Sequence, residues 1–300
     1  MSYELAGKLL ERNRVGALLR VFASTPDVVD HQVESAAIAL RKLLALENNG
    51  KPTFARIDFL VSNDQRYEDS DCDLTTTKLR ALVDTEFPNA PVNVLNIKYG
   101  DIFCMLLNYG IVNQLEDRIP YSCIISHHAH AYITEENINA LLGAMQQKAR
   151  VAGLAFGEIK ELVEKGRVAN TFSVWHNKSL MTVGGFDMRS AKPMRSSSHP
   201  TITRKNEISQ EHPTKEATYH IAGCEEIIPL VHLTKNFGQC IKVVTATETN
   251  LAWGAHATKD PEGYERHLAK LITKSARQEH MAGLAGVDIS YIEEGIITSE

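Results

Sequence analysis

IDFLVSNDQRYEDSDCDLTTTKLRALVDTEFPNAPVNVLNI, residues 57–97, contains a strand, a helix and a second strand in immediate succession. Residues 57–62 are an apolar β-type run, and residues 75–87 have the pattern of a helix that Pro88 ends. Residues 92–97 then form a second β-type run. A unit of this kind places its two strands parallel in one sheet, because the helix carries the chain back to the starting edge.

The same alternation continues on both sides of this unit. Strands are predicted at residues 15–23, 121–126, 151–156 and 241–245, and helices at 31–46, 102–115, 134–148, 158–165, 225–237 and 261–282. Repeated strand–helix units imply a mainly parallel sheet covered by helices on both faces. The predicted fold class is therefore α/β, with a mainly parallel Rossmann-like sheet flanked by helices and a C-terminal helical tail.

One segment interrupts the alternation. Residues 189–220 are rich in Ser, Thr, Pro, Lys and Arg and show little periodicity, which predicts a long mobile loop. No clear linker divides the chain, so residues 1–260 are predicted to form one domain that includes this loop. Residues 261–300 are predicted to form a C-terminal helical extension.

Composition and charge exclude several classes of function. The formal net charge is -5, so no basic surface is available for nucleic acid, and that partner is not expected. The N-terminal residues carry charges through their apolar stretch, unlike a signal peptide, and no long apolar run predicts a transmembrane helix. Five scattered cysteines favour reduced thiols. These features predict a cytoplasmic protein and leave a homo-oligomer open.

Polar residues follow two of the predicted strands. Ligands of open parallel sheets bind beyond the carboxyl ends of the strands. Asn63 and Asp64 follow the strand at 57–62, and residues 127–130, HHAH, follow the strand at 121–126. On an extended backbone, His128 and His130 would point the same way and bind a divalent metal such as zinc or nickel. The alternative is that these histidines only form hydrogen bonds, since no third ligand is visible nearby.

Two later motifs contain candidate site residues. Gly184 and Gly185 indicate a tight turn, with Asp187 and Trp175 flanking a predicted pocket; the alternative is an ordinary turn beside a core tryptophan. The acidic pair Glu225–Glu226 opens a predicted helix. Acidic residues are favoured there by the helix dipole alone, and the functional interpretation is that one of them is a general base for an acceptor hydroxyl.

Taken in order, these segments resemble family 2-type glycosyltransferases of the GT-A fold. The resemblance includes Asn63–Asp64 as a nucleotide-contacting pair, residues 108–111 (NYGI) as the "R-N-x-G" segment, and the strand that leads to the position of the D-x-D motif. It continues through VAGLAF, NTFSVW and VGGFD to the Glu225–Glu226 pair, which is similar to the family's "E-D". No Walker loop, G-x-G-x-x-G after the first strand, G-x-S-x-G or H-E-x-x-H is present.

The resemblance implies a nucleotide-diphosphate sugar as donor, a hydroxyl-bearing acceptor, and direct displacement of the nucleotide diphosphate at the anomeric carbon. It implies catalytic roles for three residues: Glu225, Glu226 and Asp187. It implies contact with the donor for six: Asn63, Asp64, Asn108, His128, His130 and Trp175.

The chain departs from the family at its metal site. The D-x-D carboxylates are replaced by His128-Ala129-His130, and Leu107 stands where the family has the Arg of R-N-x-G. Carboxylate oxygens suit magnesium, whereas imidazoles do not. Three possibilities stay open: His128 and His130 bind another divalent metal, protonated histidines meet the diphosphate directly, or activity is lost. The alternative functions are a catalytically impaired GT-A-like nucleotide-binding or scaffold protein and a metal-dependent hydrolase.

Overall fold

The structure, a computed structural model, describes most of the chain. The described residues are 4, 6–9, 14–23, 25–48, 50–62, 72–97, 103–155, 160–188, 201–205, 216–220, 224–247, 275 and 278–298. Asn63 and Asp64, both predicted to contact the donor, lie outside this part of the chain.

The described structure has eleven strands, and seven of them form a central sheet. The strands are β1 (Val15–Val21), β2 (Glu47–Asn48), β3 (Lys51–Pro52), β4 (Arg56–Ser62), β5 (Val92–Ile97), β6 (Tyr121–Ser126), β7 (Val151–Ala155), β8 (Phe172–His176), β9 (Thr201–Lys205), β10 (Glu216–His220) and β11 (Ile241–Thr245). The large sheet has the order β11-β7-β8-β6-β1-β4-β5. Its strands run parallel except β8, which is antiparallel to β6 and β7.

Helices cover both faces of this sheet. They are α1 (Val29–Leu44), α2 (Cys72–Glu86), α3 (Phe103–Glu116), α4 (Glu135–Gln146), α5 (Lys160–Glu164), α6 (Asn177–Thr182), α7 (Ile227–Phe237) and α8 (Ser290–Glu294), with 3-10 helices at Pro26–Val28 and His127–Tyr132. Side chains alternate across the sheet, so Leu19 belongs to one apolar cluster with α1 and α4, and Leu18 to a second with α3 and α7. The predicted fold class is confirmed.

The structure differs from the sequence-based prediction in the stretch that follows residue 166. A short antiparallel strand, β8, and the helix α6 were not predicted there. FSVWH is only five residues long and lacks a clean apolar–polar alternation, because both faces of β8 are covered. Within residues 189–220, β9 and β10 pair as an antiparallel ladder. The prediction of a mobile loop stays open for the remainder, which lies outside the described residues.

A buried polar network joins the amino-terminal ends of the central strands. Asp58 is fully buried; its carboxylate accepts hydrogen bonds from Arg56 Nε at 2.7 Å and Gln114 Nε2 at 2.9 Å. Gln114 Oε1 accepts one from Ser122 Oγ at 2.5 Å. A Cβ on Gly16 would lie 2.2 Å from Gln114 Oε1, so only glycine fits beside this amide. At this edge of the sheet, these donors and acceptors therefore form hydrogen bonds within the protein.

The described C-terminal residues pack on the sheet domain. Helical residues 278–285 and α8 follow one another, and Ile292 on α8 is fully buried. Ile296 forms a parallel bridge with Ile241 of β11. Residues 261–274 of the predicted final helix lie outside the described part of the chain. Among the described residues, every helix is too short or too polar to cross a membrane.

Candidate functional site

The strand order reverses between β1 and β6. From β1 the chain proceeds to β4 and β5 on one side, whereas β6 lies on the other side of β1. The two strands are parallel and pair Arg20 with Ser126, so their carboxyl ends lie side by side. Crevices at such reversal points are the usual ligand sites of open α/β sheets. The residues around Arg20 and the 3-10 helix that follows Ser126 are therefore the candidate site.

Arg20 is the central cation of this site. Its guanidinium carbon lies 3.2 Å from the centroid of the Phe103 ring, at the start of α3. Arg20 Nε is buried and donates no hydrogen bond within the described part of the chain. Burial lowers the pKa of Arg20 to about 10, and the negative charge of nearby Glu225 opposes that shift. Arg20 therefore stays charged at neutral pH. Sequence reasoning missed it, although an arginine within the apolar run VGALLRVFA was a signal.

His127 holds the end of β1 in place. Its Nδ1 lies 2.6 Å from the carbonyl oxygen of Arg20, and its Nε2 lies 2.7 Å from Oε1 of Gln32. Burial, reinforced by the neighbouring His128, lowers the pKa of His127 well below its usual value, so the ring is neutral. A carbonyl only accepts, hence Nδ1 carries the proton. Nε2 then needs a donor, which the Gln32 amide provides when its nitrogen faces the ring.

The expectation of an extended backbone at His128 and His130 is wrong. Both lie in the helical segment His127–Tyr132, which is kinked at Ala129 between them. Lys42 Nζ donates to the carbonyl of His130 at 2.9 Å and helps to hold this turn against α1. Among the described residues, no three His, Cys, Asp or Glu side chains converge on a metal position. The described residues alone thus complete no metal site with His128 and His130.

The side chain of Asn108 stabilises the turn that contains Gly184 and Gly185. Its Nδ2 donates to the carbonyl of Phe186 at 2.9 Å, and its Oδ1 accepts from the Phe186 N–H at 2.8 Å. Gly185 has φ +72, and a Cβ there would lie 2.6 Å from Asn108 Oδ1. Cys104 Sγ donates to the carbonyl of Asp187 at 3.1 Å. Both polar atoms of the Asn108 amide are thus hydrogen-bonded to the backbone of Phe186 rather than directed at a nucleotide-sugar donor. These hydrogen bonds help to set the position of Asp187.

The two predicted carboxylates at α7 separate in space. Glu225 and Glu226 are both buried, with 9% and 1% of their surface exposed, so the helix-dipole explanation with solvent-facing side chains does not describe them. Glu225 is the one whose charge acts on Arg20. Glu226 Oε1 accepts a hydrogen bond from Gln278 Nε2 at 3.2 Å, in the C-terminal segment.

Trp175 lies in the core, away from this crevice. It pairs with Ser122 near the amino end of β6 and is fully buried. Its indole Nε1 donates to Ser173 Oγ at 2.8 Å, and its ring meets Phe186 edge-on at 5.0 Å. The core-tryptophan alternative describes this residue. The described site therefore has Glu225, Cys104 and His127 around Arg20, with Asp187 joined to it through Cys104 and with Trp175 apart from it.

Comparison with known proteins identifies distant similarities only. No protein-family model matches the chain, and no curated protein matches it significantly. The chain is similar to a mannosyltransferase from Pyrobaculum calidifontis, solved in complex with GDP-Man and Mn2+, at 9% identity and a TM-score of 0.45 over 96% of this chain and 83% of that chain. It is also similar to a mycobacterial protein, at 10% identity and a TM-score of 0.37 over 76% of this chain and 92% of that chain. Both TM-scores are below 0.5, so the fold described above rests on the chain's own topology.

Proposed function

We propose that the chain is a glycosyltransferase with a GT-A-like domain, which moves a sugar from a nucleotide-diphosphate sugar to an acceptor hydroxyl. The observation that carries this proposal is a buried carboxylate, Glu225, whose charge acts on the partly buried guanidinium of Arg20 at the reversal point of a mainly parallel sheet. The sequence resemblance adds the order of the surrounding motifs. Residues 1–260 are proposed to hold the donor site, with the segment 261–300 supporting it.

The proposed reaction is a direct displacement. The acceptor oxygen attacks the anomeric carbon, the bond from that carbon to the diphosphate oxygen breaks, and the nucleotide diphosphate leaves with the bonding electron pair. Glu225 takes the proton of the acceptor hydroxyl, a role that suits a buried carboxylate held beside the crevice. Asp187, positioned through Cys104 and the Asn108 turn, orients the acceptor in this proposal.

The proposed mechanism routes no step through a divalent metal. Among the described residues, no third His, Cys, Asp or Glu completes a metal site with His128 and His130. Stabilisation of the leaving diphosphate must then come from side chains, and such electrostatic terms dominate this class of reaction. In the proposal, His128 and His130 border the donor as hydrogen-bonding groups.

The competing proposal is a binding or scaffold protein that retains the fold without turnover. The replacement of the D-x-D carboxylates by histidines favours it. Titration with a nucleotide sugar does not separate the two, since both would bind. The two proposals are distinguished by incubation with UDP- and GDP-sugars and a panel of hydroxyl acceptors, with chelator present. Release of nucleoside diphosphate that depends on the acceptor supports the transferase; binding without release supports the scaffold.

A further inference from the structure

We propose that Arg20 binds the diphosphate of the nucleotide donor and supplies positive charge to it, at a place where the described residues complete no metal site. This inference rests on the proposed function and names the residue that recognises the donor. The carboxyl end of β1 places the guanidinium at the reversal point of the sheet, between the histidine turn and the start of α3.

Arg20 has a donor that an anion could satisfy. Arg20 Nε is buried and donates to no residue that the structure describes. Most buried polar groups in folded proteins have a partner, and a bound anion would supply one for this positively charged group. Arg20 has five N–H donors in a planar fork, a geometry that matches two oxygens of a phosphate group.

The surroundings of Arg20 hold its guanidinium in a fixed plane and leave Nε as a donor for a ligand. Phe103 lies against one face of the guanidinium, and such stacking fixes the plane without consuming a donor. His127 binds the backbone carbonyl of Arg20, which immobilises the strand end from which the side chain extends. A cation fixed in this way loses little conformational freedom when an anion binds.

Arg20 also differs from the histidines as a source of charge. A guanidinium remains protonated throughout the physiological range, whereas an imidazole loses its charge near neutrality. Glu225 supplies the nearby negative charge that acts on Arg20. A diphosphate carries more charge than one carboxylate and therefore competes for the same fork. Recognition through Arg20 is expected to persist between about pH 6 and pH 8, with no added metal.

The test compares nucleoside diphosphates with nucleosides. Calorimetry with EDTA present measures binding of UDP, uridine, GDP and guanosine to the wild type, R20Q, R20K and R41Q. R41Q is the matched control, because Arg41 pairs with Glu86 on the exposed side of α1 and its loss removes the same charge elsewhere. We expect R20Q to lose the preference for diphosphate over nucleoside by roughly 10- to 100-fold. R20K keeps part of it, and R41Q keeps all of it.

The outcomes separate this inference from the proposed function. Thermal unfolding of each variant identifies loss of folding, and R20K retains a charge at the site if R20Q does not fold. Equal preference for diphosphate in the wild type and R20Q overturns the role of Arg20 while the transferase stands. If the wild type binds no nucleotide, the transferase proposal is overturned, and pyrophosphate is titrated instead. Pyrophosphate binding that R20Q weakens supports an anion site at Arg20. Absence of pyrophosphate binding overturns the anion site as well.

Discussion

Glu225 and Glu226 are adjacent in sequence, but their different partners predict different effects of substitution. Glu225 is the buried carboxylate whose charge acts on Arg20, so Glu225→Gln removes the proposed base while it preserves shape. We expect turnover to fall by roughly two to four orders of magnitude, with nucleotide affinity nearly unchanged. Steady-state release of nucleoside diphosphate and calorimetric affinity are the two measurements.

Glu226→Gln is the matched control for that experiment. Glu226 accepts a hydrogen bond from Gln278, and a glutamine at 226 can still accept it through its carbonyl oxygen. Turnover within about threefold of the wild type is expected for Glu226→Gln, since its carboxylate is turned to the C-terminal segment. Equal losses in the two variants, or full activity in both, would contradict the assignment of the base to Glu225.

His176 predicts a pH dependence of stability. Burial, together with the charges of Arg150 and Lys178, lowers the pKa of His176 to about 4. Its neutral Nδ1 accepts from the Ser179 N–H at 3.2 Å and lies 2.7 Å from Ser179 Oγ, as the N-cap of α6. The unfolded chain, with a pKa near 6.5, binds the proton first as pH falls. The stabilising contribution of neutral His176 to the folded state is therefore complete above about pH 6.5 and is lost as the pH falls towards 4.

The variant His176→Asn separates the cap from the titration. Asparagine caps helices well but does not titrate, so α6 keeps its first turn. Between pH 7.5 and pH 5, chosen to bracket most of the transition, the wild type should lose about 1–2 kcal/mol more unfolding free energy than His176→Asn, a range reduced for partial solvent exposure. Urea unfolding at both values measures this difference. Identical losses in the two proteins would mean that His176 does not titrate between folded and unfolded states as expected.

At the scale of single residues, Glu225, Asp187 and the histidine turn were predicted from the sequence as site residues, and their roles stay predictions. Features that depend on local geometry could not be predicted in this way. Two histidines separated by one residue point alike only on extended backbone, and the chain turns at Ser126 instead. Trp175 and Asn108 carry polar groups that were read as ligand contacts. Both are satisfied inside the protein, and partners distant in the chain cannot be read from spacing.

Among the structural elements, the turn that follows α6 offers the sharpest mutational test. Gly184 and Gly185 both have positive φ, at +96 and +72, so alanine is strained at either position. Only at Gly185 would the new Cβ meet Asn108, whereas at Gly184 nothing lies within 4 Å. Gly185→Ala should therefore cost about 1–3 kcal/mol more unfolding free energy than Gly184→Ala, because it also breaks the two Asn108 hydrogen bonds.

A double-mutant cycle checks the cause of that difference. In an Asn108→Ala background the amide is absent, so Gly185→Ala should cost about as much as Gly184→Ala. Activity should follow the same pattern, since Asp187 lies two residues beyond the turn. If the excess cost of Gly185→Ala persisted without Asn108, the contact between these two residues would not be its origin.

The strands and helices themselves were largely predictable from the sequence. Residues 92–97, 121–126 and 241–245 were predicted with the observed bounds, because apolar runs between turn residues leave few alternatives. The antiparallel direction of β8 was not predictable in the same way. It depends on which neighbours β8 pairs with, and those contacts join residues about 50 positions apart, as Ser122 and Trp175 show.

At the scale of the whole molecule, the two edges of the described sheet carry different polar side chains. At the amino edge, Asp58 and Gln114 satisfy each other and their neighbours within the protein. At the carboxyl edge, Arg20 retains a buried donor without a partner among the described residues. Satisfied networks stabilise a fold, and unsatisfied groups cluster where ligands bind. The charged donor at the carboxyl edge supports the proposal that the donor site lies there.

The C-terminal segment tests whether the chain unfolds as one unit. Ile292 on α8 is fully buried in the same apolar cluster as Leu18 of β1, and the N–H groups of Cys240 and Ile241 both donate to the Gly295 carbonyl. Ile292→Ala should thus destabilise the entire protein by about 2–5 kcal/mol in a single urea transition. Leu284→Ala is the control, since Leu284 is 55% exposed and its loss should change stability by less than about 0.5 kcal/mol. A separate early transition for Ile292→Ala, with the main one unmoved, would instead show that residues 261–300 are an appendage whose packing on β11 does not support the domain.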